Sequence, residues 1–214
     1  MKLLDVLGFV LRILGGTGSR SVSMSTPIVK TGYEKYDVLQ GGFVPTWIVL
    51  HHSDTIDDAK ADDWVGIRRY HMSFRYRGDI ITEIQYNEYK AAGKTEGLER
   101  PWRDIGYNLG IEDVDGKLVV QKGRQLGSLG AHALGFNDCS IGVCLVGDWD
   151  KAPPDEDRLF LLASVCRDLI GMFGIAQDHV IGHRETYTRR GVPVEKTCPG
   201  ASFDLDAFRK RLTI

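Results

Sequence analysis

Residues 45–55 read PTWIVLHHSDT, and Trp47, Ile48, Val49 and Leu50 follow one another there without a polar interruption, directly after Pro45 and Thr46. A half-buried strand alternates apolar and polar residues, so an unbroken apolar run of this length predicts a strand covered on both faces. Strands of that kind belong to sheets with helices on either side. SIGVCLV at 140–146 repeats the pattern, and IGYNLGI at 105–111 with LVVQ at 118–121 flanks Asp115-Gly116, a hairpin turn signal. Val180 and Ile181 form a very short strand. Apolar residues at helical spacing run through 62–72 (Trp64, Ile67, and Tyr70 or His71) and more fully through 155–173. There Leu159, Leu162, Val165, Cys166, Leu169, Ile170 and Phe173 make one stripe, with Asp155 as N-cap and Gly174 as the stop. A last helix covers 205–212. The succession predicts an α/β fold with a single mixed central β-sheet flanked by helices.

The composition fits that reading and excludes several classes of function. Of 214 residues, 43% are hydrophobic and 26% charged, values of an ordinary globular protein rather than a disordered, collagenous or membrane-spanning one. Lys plus Arg number 27 against 29 Asp plus Glu, a net charge of −2, and no long basic run is present. Nucleic acid and anionic lipid, which are met by concentrated basic faces, are therefore not expected partners. Four cysteines are too few for a disulfide scaffold. Cys139 and Cys144 in one extended strand would stand roughly 16 Å apart, beyond disulfide reach.

The first forty residues read as a separate unit. Apolar residues crowd positions 3–14, interrupted by Asp5 and Arg12, and 15–27 (GGTGSRSVSMSTP) is a Gly/Ser-rich linker. The apolar stretch is too short to span a bilayer and lacks a small-residue cleavage site. It is expected as an N-terminal helical extension that docks on the domain or on a second copy; interfacial membrane contact and a divergent export signal are the alternatives. The main domain is expected over 41–214.

Candidate ligands stand at the ends of elements. His51 and His52 directly follow the WIVL strand, His183 follows Val180-Ile181-Gly182, and Cys198 lies fifteen residues later. A residue just past a buried strand is held by the sheet yet opens into a cleft. Two imidazoles and one thiol suit Zn2+, and three protein ligands leave the fourth tetrahedral position free. Taken alone, the spacing is equally met by hydrogen-bonded histidines and a buried cysteine. His52 reads as packing on the opposite face of the strand from His51, and His71 and His179 as surface or helix-end residues. The glycine-rich blocks GSLGAHALG and GVCLVGD lack the Lys-Ser/Thr ending of a phosphate loop and read as tight turns.

Five blocks taken together, IVLHHSDT (48–55), WRDIGYNLGIEDVDGKLVVQKGR (102–124), LGAHALGFNDCSIGVCLVGD (129–148), VIGHRE (180–185) and KTCPGASFDL (196–205), resemble the zinc-dependent N-acetylmuramoyl-L-alanine amidases. Within them the likeness is to the phage lysozyme-type amidases and the peptidoglycan recognition proteins, and it covers roughly 46–212. The resemblance implies His51, His183 and Cys198 as metal ligands for Zn2+, Tyr107 and Lys196 as catalytic residues, and His132 as a residue of the substrate groove. Members that only bind peptidoglycan typically lack the metal cysteine, so the presence of Cys198 implies a hydrolase. The implied activity is hydrolysis of the amide between N-acetylmuramic acid and L-alanine, with peptidoglycan as partner. A cytosolic muropeptide-recycling amidase and a non-catalytic peptidoglycan-binding module are the alternatives. A phage setting implies accumulation in the cytoplasm of the producing cell and action on the wall after release. Residues 74–101 are longer than the corresponding stretch of short amidases, and their aromatic and charged residues suit a lid or groove wall.

Overall fold

The computed structural model describes residues 36–57 and 63–213. The expected N-terminal helix and the linker lie outside the described residues. The central sheet contains β1 (Trp47–His52), β5 (Leu109–Val114), β6 (Lys117–Lys122), β7 (Ser140–Leu145) and β8 (Val180–Gly182) in the order β6-β5-β7-β1-β8. β5 and β6 pair antiparallel through the hairpin at Asp115-Gly116; the other three pairings are parallel. The mixed α/β sheet read from the sequence is the sheet observed.

The two faces of this sheet are different. Ile48, Leu50, Leu109, Ile111, Ile141, Val143 and Leu145 point to the side of α3 (Glu156–Phe173) and form the main core with Leu162, Val165, Cys166 and Leu169. α5 (Leu205–Lys210) extends that layer through Phe208. Residues one step along each strand point the other way, as the pleat requires. On that face Cys144, Val146 and Ile105 pack with Trp64 of α1 (Asp63–His71). Two glycines open the face: a Cβ at Gly110 would lie 2.3 Å from the Trp64 ring, and one at Gly142 would lie 2.7 Å from the His132 ring.

Several boundaries differ from those read in the sequence. The expected strand at 105–111 begins only at Leu109, because Ile105–Tyr107 form a loop with other partners. The Gly106 N–H donates to His71 Nδ1 (3.2 Å), and its carbonyl accepts from Ala131 N–H (3.0 Å). The final helix ends at Lys210 rather than 212. The insertion at 74–101 is an ordered unit: β2 (Phe74–Tyr76), β3 (Asp79–Ile81) and β4 (Leu98–Glu99) form a small antiparallel sheet against α2 (Glu83–Ala91). α4 (His183–Arg189), also unread in the sequence, is short and carries no apolar stripe to announce it. All four cysteines are free. Among the described residues no helix is long and apolar enough to cross a membrane.

Candidate metal centre and cleft

The parallel register of β1 and β8 assembles the site. Leu50 stands beside Gly182, so the next residues of the two segments, His51 and His183, become neighbours with ring centroids 4.7 Å apart. Cys198 arrives on the loop after α4, its Sγ 3.6 Å from His51 Nδ1. One ligand atom from each of His51, His183 and Cys198 lies within 4.8 Å of the others.

The cysteine loop is held by residues the sequence did not single out. Arg184, next to His183, donates from its backbone N–H to Cys198 O (2.7 Å), and from its guanidinium to the carbonyls of Thr197 (2.9 Å), Gly200 (2.5 Å) and Phe203 (2.8 Å). From the other side Asp150 accepts from Ala201 N–H (2.6 Å) and Thr197 Oγ1 (2.9 Å). An arginine or aspartate clamping carbonyls and amides across a loop leaves no spacing pattern; only its adjacency to a candidate ligand was visible.

The electrostatics suit a cation. Burial first, then the charges of His183 and His132, holds His51 well below the ordinary imidazole value. Burial followed by the Lys196 charge lowers His183 to about 4. Burial raises the Cys198 thiol to about 12, opposed by a hydrogen bond from the His52 backbone. Two neutral imidazoles and a thiol offer lone pairs without a competing positive charge. A divalent cation would supply the field that ionises the sulfur, releasing a proton as it binds. The residues therefore fit Zn2+ chemically.

Two other groups bring metal-type atoms together, His52 with Asp54 and Asp148, and Asp57 with Asp63 and Glu112. Three of their carboxylates are engaged already. Asp148 pairs with Lys151 (2.6 Å), Asp57 with Arg158 (2.7 Å), and Glu112 accepts from Trp64 N–H (2.9 Å) and from Gln121 Nε2 (2.5 Å).

The remaining expected site residues converge on the same cleft of about 530 Å³, lined among others by His51, His71, Trp102, Tyr107, His132, His183, Lys196 and Cys198. The Tyr107 ring stands 5.0 Å from that of His51, and burial lifts its pKa well above the usual phenol value. Lys196 is exposed at the rim. His132 is buried, its Nδ1 3.0 Å from His51 Nε2. His52 also lines the cleft, its Nδ1 accepting from Trp149 N–H at 3.4 Å. His71 ends α1 as expected, but its side chain lines the cleft, stacked on Trp102 with centroids 4.5 Å apart. No residue of 74–101 lines this cleft. The insertion reaches it indirectly through Arg75, 2% exposed, whose guanidinium lies 5.1 Å from the Trp102 ring and 4.6 Å from Tyr70.

A sheet that delivers two imidazoles and a thiol into one open cleft defines a class, α/β proteins whose cleft brings together three side chains that could hold a metal ion. Residues 41–201 match the family model described as N-acetylmuramoyl-L-alanine amidase, and the chain belongs to that family. It is 33% identical over 117 residues to an endolysin of Enterobacteria phage K11, covering 52% of this chain and 68% of that protein. To peptidoglycan-recognition protein LB of Drosophila melanogaster it is 34% identical over 109 residues, 48% of this chain but only 40% of the fly protein. Among solved structures, the Ph2119 endolysin from a Thermus scotoductus bacteriophage superposes with a TM-score of 0.52 at 22% identity, covering 86% of this chain and 93% of that one. At that identity the likeness speaks for the fold alone.

Proposed function

We propose that this protein is a peptidoglycan hydrolase that cleaves the amide between the lactyl group of N-acetylmuramic acid and L-alanine, with Zn2+ held by His51, His183 and Cys198. The observation that carries the reading is the convergence of these three side chains, from segments up to 147 residues apart, in one cleft with Tyr107 and Lys196. Zinc bound there would supply Lewis-acid polarisation of the scissile carbonyl and acidify a water to a pKa of about 7.

The chain's own groups do the rest. Tyr107 lines the cleft with a phenol that is protonated at neutral pH, its pKa raised further by burial, and it is suited as a donor to the oxygen that becomes negative as the carbonyl is attacked. Lys196 adds a positive charge at the rim for the same oxygen. Either group carries a proton that can pass to the departing amine. Trp102 and His71 form a flat wall on which a sugar or peptide plane can rest. The enzyme acts on the wall after release from the producing cell.

Digestion of purified sacculi, with and without a chelator, followed by mass spectrometry of the new ends, tests the proposal. The expected products are free L-alanine amines on intact glycan strands, lost on chelation and restored by zinc. New reducing sugars or cut cross-bridges would overturn the assigned bond, and undiminished activity after chelation would overturn the metal.

A further inference from the structure

His132 is held in a purpose-shaped slot. Its ring lies between two glycines: a Cβ on Gly142 would meet it at 2.7 Å and one on Gly130 at 2.6 Å. Asn137 Oδ1 accepts from the backbone N–H groups of His132 (2.8 Å) and Ala133 (2.9 Å), fixing the turn that carries the ring. Beyond the ring lies Ser140, fully buried, whose Oγ is 2.6 Å from the Phe136 carbonyl and 3.5 Å from His132 Nε2.

Counting protons along this line gives a single answer. A carbonyl only accepts, so the Ser140 hydroxyl donates to Phe136 and presents lone pairs to His132. His132 Nε2 then carries the hydrogen, and in a neutral imidazole Nδ1 is left as an acceptor. The atom facing that acceptor, His51 Nε2 at 3.0 Å, must donate. His51 Nδ1 is thereby left with a bare lone pair, and this is the nitrogen that faces Cys198 Sγ at 3.6 Å.

We infer that Ser140 and His132 are positioning residues which lock His51 in its Nε2–H tautomer and dedicate Nδ1 to the metal. The metal half rests on the zinc reading above; the tautomer half does not. Outer partners of this kind fix ring orientation and typically govern metal affinity by roughly 10–100-fold.

Two measurements test the relay. In metal-free protein labelled with 15N-histidine, two-bond proton–nitrogen NMR correlations are expected to show His51 protonated at Nε2. Competition with a chromogenic zinc chelator is expected to show His132→Leu and Gly142→Ala binding zinc ~10–100-fold more weakly than wild type, with His132→Gln, whose amide oxygen can accept, recovering most of the loss. If His132→Leu fails to fold, Ser140→Ala serves in its place, with a smaller loss and a mixed His51 tautomer. A His51 found as Nδ1–H, or a folded His132→Leu with wild-type zinc affinity, overturns the relay. Wild-type protein that binds no zinc yet shows His51 as Nε2–H overturns the zinc function and supports the relay.

Discussion

Lys196 and His71 show how differently two cleft residues announce themselves. Lys196 became a candidate only through the resemblance to the amidases, and it occupies the cleft rim as an exposed charge that depresses both His51 and His183. Lys196→Ala is expected to lower kcat on a soluble muropeptide by ~10²–10³-fold with little change in KM, the usual effect of removing one oxyanion donor. An unchanged kcat would remove it from the mechanism. His71 read as an unremarkable helix end, yet burial, then the charges of Arg75 and Arg124, lowers its pKa to about 4 from 6.5. The unfolded chain therefore binds more protons than the folded one between those values, and stability rises with pH across that window. In metal-free protein the melting temperature should fall as pH drops from 6.5 to 4, and His71→Gln should remove part of that slope. An identical slope in the variant would show that His71 titrates normally.

At the level of elements, α3 was fully legible. Its stripe faces the sheet, Asp155 Oδ1 accepts from Arg158 N–H at 2.9 Å, and Gly174 takes the left-handed conformation at φ 69° that ends the helix. α1 was legible as a helix but not in its seating, because the contact that locks it is an absent side chain. Trp64 rests directly on the backbone of Gly110, so Gly110→Ala is expected to cost about 1–3 kcal/mol by overpacking, measured by thermal or urea unfolding. The insertion's elements were missed although Thr82 and Gln85 form a reciprocal capping box that the sequence TEIQ displays. Its β2 strand, three residues long, has too few positions for a period to show. Because 74–101 gives the cleft Arg75 behind its wall and no lining residue, deleting it should weaken hydrolysis of whole peptidoglycan more than of a small muropeptide. Equal losses on both substrates would rule out a role in engaging the polymer.

Across the whole molecule, the candidate ligands join β1, the β8–α4 junction and the loop after α4. A metal bound to all three stabilises the folded state over a chain that lacks the constellation. At a free zinc concentration 100 times Kd the gain should be about 2.7 kcal/mol, read as a rise in melting temperature after readdition of zinc to chelated protein. No rise at saturating zinc would contradict a site that forms only on folding.

The sequence by itself determined the sheet and helix alternation, the buried strands, the α3 caps, and which residues could serve as ligands. Those are matters of period, composition and local hydrogen bonding, written within a dozen residues. Tertiary structure alone decided which candidates meet. The parallel register of β1 against β8 set His51 beside His183, the Arg184 and Asp150 clamps brought Cys198 to them, and Gly142 opened the slot that lets His132 reach His51. The contacts that place these side chains depend on pairing and packing that local sequence does not encode, so His71, Trp102, Arg184 and the Ser140–His132 line emerged only once the chain was folded.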